Sequence, residues 1–494
     1  MRRAGRVVGL GLSGLFVVAG GLSSALGLPA GSHRDVAAHL QPTVQGTHGS
    51  TTDTHAPTTK LLDEAQCVAT PGIRIPCYDP AQIQAAYDEQ PLFDAGITGV
   101  GETIVIVDSF GSPTLRSDLA TFDRRFRLPA PPTLQVIQPA GPVPRYDAAD
   151  TTMVGWAGET TLDVEWAHAI APGASIVVVE TPVSETEGTA GFPQIVAAEN
   201  YVIDHRLGQV ISQSFGATEQ TFPSVQALLN LRSAFVNAAR QGVTVLAASG
   251  DTGATDLATA TATTYSTQPA ITWPASDPLV TAVGGTELQL GAHGQRTAPD
   301  RVWNDTYDPV VNAYLYGTTD PHPDATGGGL SSVFPRPAYQ DGVASVVGAR
   351  RGIPDVSMSA ACSGLVDTYQ SFPGQAPGWY YVCGTSEATP MFAGIVALAD
   401  QYAHRSLGFI NLALYSLARG HAPGIVQVPQ GDNTVSFTQT GTERTVVGYG
   451  ATAGYSLAAG VGTIDAAQFV PELAQAVATV GDTPTAAALA GPSG

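Results

Sequence analysis

Between residues 103 and 248 short β-branched apolar runs alternate with stretches of helical spacing. The apolar runs fall at 103–108, 175–180, 209–213 and 243–248. The helical stretches fall at 115–126, 157–170, 193–205 and 224–241. Strands that are apolar throughout and alternate with helices predict a parallel sheet covered on both faces, an α/β fold. Ligands of such sheets sit beyond the carboxyl ends of the strands. Asp108 and Asp251 each lie just past such an end, so they are expected on one rim.

The rest of the chain reads as additions to that body. Residues 255–350 are rich in loops and short strands, 386–405 form a long apolar helix, and 465–477 a closing helix. Residues 420–465 read as strands and turns, and no internal repeat is visible. At the start, Arg2, Arg3 and Arg6 precede an apolar run from Val7 to Gly27, the pattern of a secretory signal peptide over 1–30. An uncleaved anchor is the competing reading; the Gly and Ser in the run favour cleavage. No later segment has enough uninterrupted apolar residues to span a bilayer. Residues 31–65 are polar and aperiodic, a flexible leader or short pro-segment. A single domain is expected over 66–480, with a disordered tail over 481–494.

Charge narrows the partners. The chain of 494 residues carries 42 acidic and 22 basic side chains, a net charge of −20. Nucleic acid is excluded as a partner, because phosphate binding needs a basic surface. Only 13% of residues are charged, a surface that suits acid, although an ordinary acidic exoprotein has the same composition. Cys67, Cys77, Cys362 and Cys383 allow three pairings. The short local loops favour Cys67–Cys77 and Cys362–Cys383. The second bridge would brace the segment that follows it.

That segment, Gly384-Thr385-Ser386-Glu387-Ala388-Thr389-Pro390, places a serine at a helix start. Free backbone N–H groups there can face a developing oxyanion. Pro390 is expected in the first turn, where proline is tolerated. A capping serine is the competing reading, since serine is a common cap. Upstream, Glu159 and Asp163 are four residues apart and share one helical face. Two such carboxylates repel unless one holds a proton, and they titrate as a unit. Two solvated acids would need a polar helix; Leu162, Val164 and Trp166 make this one apolar. Asp251 sits in Ser249-Gly250-Asp251-Thr252-Gly253, which alone makes a good turn. A serine hydroxyl needs a base. None of the ten histidines has a compelling setting for it. Gly46-Thr47-His48 falls in the leader, and His168 suits a helix end, where a cationic imidazole is favoured by the dipole.

Together these residues resemble the sedolisin (serine-carboxyl peptidase) family, which has a subtilisin-like fold. The resemblance runs from about Cys67 to about Ala476. It rests on Glu159-x-x-x-Asp163, Ala169-Ile170-Ala171-Pro172-Gly173-Ala174, Ser214-Phe215-Gly216, Ser249-Gly250-Asp251, Pro274-Ala275-Ser276 and Val283-Gly284-Gly285-Thr286. Gly327-Gly328-Gly329, Pro354-Asp355-Val356-Ser357 and Gly384-Thr385-Ser386 complete it, all in order. It implies Ser386 as nucleophile, Glu159 as general base, Asp163 as its supporting acid and Asp251 as the oxyanion-hole acid. It implies Ser214-Phe215-Gly216 as an edge strand that pairs with the substrate backbone. The implied enzyme is a secreted, monomeric, acid-acting serine endopeptidase on protein or peptide substrates, with no stable membrane association. A tripeptidyl-type exopeptidase and a catalytically silent binding protein on the same scaffold are the alternatives.

The sequence departs from the family in two places. Where the family resemblance implies calcium carboxylates, this chain has Gln427 and Ser456. Calcium prefers anionic oxygen ligands, so no cofactor is expected, unless Asp432 rescues a shifted site. Residues 31–65 are also short for the pro-domain that the resemblance implies.

Overall fold

A computed structural model describes residues 75–261 and 264–491. The signal-like segment, the leader and Cys67 lie outside the described residues. The central sheet runs, edge to edge, through Arg301–Val302, Thr281–Glu287, Thr244–Ala248, Val210–Gln213, Thr103–Ser109, Ser175–Thr181 and Leu134–Ile137. Val356–Ser359 adds to Thr281–Glu287 in parallel. Only Arg301–Val302 runs antiparallel to its neighbour. The sheet is therefore parallel at its centre, as its apolar strands predict.

Alternation along one strand splits the core into two layers. Ile104 and Ile106 of Thr103–Ser109 face one cluster, which contains Leu162, Trp166, Phe392 and Phe469. Val105 and Val107 face the other, which contains Phe192, Phe235 and Trp273. All four strand residues are fully buried. Successive strand side chains point to opposite faces, so a β-branched run with no polar member requires cover on both sides.

Helix Thr151–Ile170 lies in the first layer and is buried from Trp156 onward. It starts earlier than the predicted 157. The side chain of Asp150 accepts from the backbone N–H groups of Thr152 and Met153, at 2.9 and 3.4 Å. That satisfies donors at the helix start. The predicted helix over 224–241 is two helices, Val225–Leu229 and Ser233–Gln241. The break falls where Arg232 turns inward, its Nε and Nη2 donating to Asp277 at 2.5 and 2.9 Å.

The tail corrects an expectation. Helix Ala486–Ala490 lies within the segment expected to be disordered. Ala488 packs into the second core layer. Its carbonyl accepts from Arg232 Nη2 at 2.8 Å. Cys362 and Cys383 are bridged. Cys77 is also disulfide-bonded.

Candidate active site

Ser386 is the second residue of helix Thr385–Ala403 and is 4% exposed. Its helix packs against Thr151–Ile170 at a very close approach. A Cβ on Gly394 would lie 2.6 Å from Ile170 Cβ, so only a glycine allows the contact. From there both helices run back toward their N-termini, one to Ser386, the other to Glu159. Pro390 lies inside the helix, not in its first turn. Proline has no N–H to give the carbonyl four residues back, which here is that of Ser386. The Ser214 hydroxyl oxygen lies 3.5 Å from that carbonyl.

Glu159 and Asp163 are wholly buried, and so is Asp108. Burial pushes the Glu159 carboxyl well above the usual carboxylate range. The nearby Ser386 side chain lowers it and the charges of Asp108 and Asp251 raise it further, while neither Glu159 oxygen meets a hydrogen-bond partner. Burial likewise raises Asp163, followed by the charges of Asp108 and Glu159. Burial lifts Asp108 to about 7. Three carboxyls thus share one dry chamber, and their protons belong to the group rather than to one residue. Sequence reasoning placed Asp108 on the rim and gave it no part in the group. A lone acid after a strand carries no spacing signal.

Asp251 is 8% exposed and is held from the helix start. The backbone N–H of Thr385 donates to its Oδ1 at 2.7 Å, and the Thr385 hydroxyl at 2.6 Å. The Gly250 N–H in turn donates to that hydroxyl at 3.2 Å. Gly384 has φ +123°, and a Cβ there would lie 2.8 Å from Asp251 Oδ2. Both constraints demand glycine at this position. One chain segment, 384–386, therefore presents the serine and fixes the acid beside it.

Residues 214–216 are the segment expected to pair with a substrate backbone. They join Val210–Gln213 to the short strand Ala217–Thr218. The Ser214 hydroxyl donates to Asp163 Oδ1 at 2.9 Å. The Phe215 ring lies 6.2 Å from Trp156 and 6.3 Å from Phe192. Gly216 packs under Thr272 and Trp273. Their side-chain contacts are spent inside the protein, on the acidic chamber and the core. His168 departs from the sequence reading. Its Nε2 lies 2.7 Å from the Pro129 carbonyl and 3.3 Å from Asp123. Burial pushes the imidazole down to about 4, so it is neutral rather than cationic above that pH.

The calcium positions fail a test of fit. Gln427 Oε1 accepts the Gly454 N–H, and its Nε2 reaches the Val461 carbonyl at 3.5 Å. The Ser456 hydroxyl accepts from the Ala459 N–H at 3.1 Å. Asp432 accepts from the Thr434 N–H at 2.8 Å. The neutral side chains close the loop on itself, and their oxygens are already engaged. Among the described residues no group of three or more His, Cys, Asp or Glu is arranged to hold a metal ion.

A parallel sheet bearing a serine at a helix start, with buried acids on the neighbouring helix, defines a class. A family model described as the Subtilase family matches residues 151–412, just over half of the chain. The chain belongs to that family. Within it the similarity is to the sedolisins, as the motifs implied. Kumamolisin from Bacillus sp. (strain MN-32) is 32% identical over 353 residues, 69% of this chain and 55% of kumamolisin. Tripeptidyl-peptidase 1 from Homo sapiens is 30% identical over 287 residues, 55% of this chain and 44% of that protein. The structure of Pseudomonas sedolisin, complexed with two molecules of pseudo-iodotyrostatin, superposes with a TM-score of 0.65 at 26% identity. That match covers 82% of this chain and 99% of that one. The chain spans about half the length of the curated relatives it matches.

Proposed function

We propose that the protein is a secreted serine-carboxyl endopeptidase that works in acid. The observation that carries this reading is the meeting of Ser386, at a helix start, with the buried acids Glu159 and Asp163: Ser214 Oγ lies 2.9 Å from Asp163 Oδ1 and 3.5 Å from the Ser386 carbonyl. A hydroxyl beside a desolvated carboxyl has a base within reach, and Glu159 has no competing solvent. In the proposed reaction Ser386 Oγ attacks the scissile carbonyl carbon while Glu159 takes the hydroxyl proton. Asp163, held by Ser214, supports the charge on Glu159. The oxyanion meets the Ser386 N–H and a protonated Asp251. Because Thr385 engages Oδ1 of Asp251, the proton for the oxyanion belongs on Oδ2. Glu159 then returns its proton to the leaving amine. Water resolves the acyl-enzyme by the same steps in reverse.

Glu159 accepts the Ser386 proton only while it is ionised, and burial raises the pH at which that happens; the acid range itself is what the family resemblance implies. Asp251 donates only while it keeps its proton. The activity is therefore bounded below by protonation of the Glu159 group and above by ionisation of Asp251. Secretion rests on the signal-like segment 1–30. Among the described residues no helix is long and apolar enough to cross a membrane. The protein acts as a monomer and needs no calcium.

The test is hydrolysis of acid-denatured protein by wild type and by Ser386→Ala. Loss of activity in the variant is expected, by about 10³-fold or more. Equal activity in both, or none in either, would favour a silent binding protein. The relatives named tripeptidyl-peptidase give a second reading, exopeptidase action. Mass spectrometry separates the two: internal peptides of varied length support the endopeptidase, and tripeptides alone the exopeptidase.

A further inference from the structure

Helix Ser233–Gln241 packs in the second core layer, across the sheet from the helix that carries Ser386. Together with Asn200 of helix Phe192–Asp204 and the last helix, Ala486–Ala490, it lines a cavity of about 440 Å³. That volume lies in the range of small-molecule sites.

The polar part of the lining offers donors. Arg232 is 4% exposed; its Nε and Nη2 are engaged by Asp277 and the Ala488 carbonyl, and its Nη1 is left over. Arg240 is exposed and pairs with no acid among the described residues. Asn230 Oδ1 accepts from Gln226 Nε2 at 2.8 Å, which leaves the Asn230 Nδ2 donor unused. The Ser233 hydroxyl oxygen accepts from Asn200 Nδ2 at 3.1 Å, which leaves its own proton to give. Asp204 accepts from Asn237 and Gln241, at 2.9 and 3.0 Å, and does not line the cavity. Nor does any other carboxylate. In a chain with 42 acidic and 22 basic side chains, a cavity with two guanidiniums and no acid is the exception. Its charge calls for an anion. Guanidinium N–H groups match the paired oxygens of a carboxylate. The rest of the wall, Leu229, Val236 and Leu489, is apolar.

We propose that this cavity is a second binding site, for the free C-terminal carboxylate of a peptide that ends in an apolar residue. Arg240 and Arg232 Nη1 meet the carboxylate. Leu229, Val236 and Leu489 take the last side chain. Asn230 Nδ2 and the Ser233 hydroxyl serve the carbonyl of the last peptide unit. The site stands apart from the peptidase reading; under that reading each cut releases a new carboxylate of this class, so products are its ligands.

The test is calorimetric titration of the full-length Ser386→Ala protein, used so that no probe is cleaved. It is run at about pH 5, where a terminal carboxyl is ionised. The probes are N-acetyl-leucine, N-acetyl-leucinamide and hexanoate. N-acetyl-leucine should bind about tenfold more tightly than its amide, the weight of a charge-assisted hydrogen bond. Adding Arg240→Gln, a change at an exposed position, should abolish that preference. No binding of N-acetyl-leucine, equal binding of acid and amide, or a preference that survives in Arg240→Gln would overturn the assignment. Hexanoate binding as tightly as N-acetyl-leucine would mark a site for aliphatic acids and overturn the peptide ligand. None of these outcomes depends on catalysis, so failure of the peptidase reading leaves the assignment standing.

Discussion

At the scale of single residues, the site is a set of acids whose protons are managed by neighbours. Asp108 touches no part of the proposed reaction, yet its charge raises both Glu159 and Asp163. Replacing it by Asn removes one like charge from the chamber. The remaining acids then ionise more readily. The acid limb of the kcat/KM profile should move to lower pH in Asp108→Asn, and pH–rate measurements check it. An unmoved limb would show that Asp108 lies outside the titrating unit. Thr385 acts on the other acid. Thr385→Val keeps the shape but removes the hydroxyl that steadies Asp251 Oδ1. A fall in kcat of about tenfold with little change in KM is expected. Part of this was legible in the sequence. Four-residue spacing on an apolar helix marked Glu159 and Asp163, and the helix start marked Ser386. The bond from Ser214 to Asp163 was not legible, because the two are 51 residues apart. No local pattern records such a bond.

At the scale of elements, the meeting of helices Thr151–Ile170 and Thr385–Ala403 makes the site. Gly394→Ala would place a methyl group 2.6 Å from Ile170 Cβ. Such overpacking costs about 1–3 kcal/mol. It should also separate Ser386 from Glu159. Urea unfolding should show the lost stability, and kcat should fall with it. Unchanged values of both would show that the helices have slack. The strands were readable because Ile104 to Val107 are β-branched and buried on both faces. Boundaries were less so. Gly155 and Gly158 obscured the start of Thr151–Ile170, and the cap Asp150 lay outside the apolar pattern. The break at Arg232 is set by Asp277, a tertiary partner.

At the scale of the whole molecule, buried acids among the described residues outnumber the buried cations that could neutralise them. Arg232, Arg296 and Arg351 pair with Asp277, Asp300 and Asp355. Glu89, Glu185 and Glu199 are buried with both oxygens lacking a hydrogen-bond partner. Burial raises each, Glu199 to about 8. A group whose folded pKa lies above its unfolded value binds more protons when folded. Its stabilisation is complete below the ordinary value of 4.5 and is lost as pH rises through about 8. The melting temperature should therefore fall steadily between about pH 5 and about pH 8. Glu199→Gln should flatten that fall; a level curve in wild type would refute the argument. A different hazard follows from Arg232, whose Nη2 leans on the Ala488 carbonyl. An exopeptidase that trimmed the protein back past Ala488 would leave a guanidinium N–H stranded inside the fold, so the last turn works as a latch.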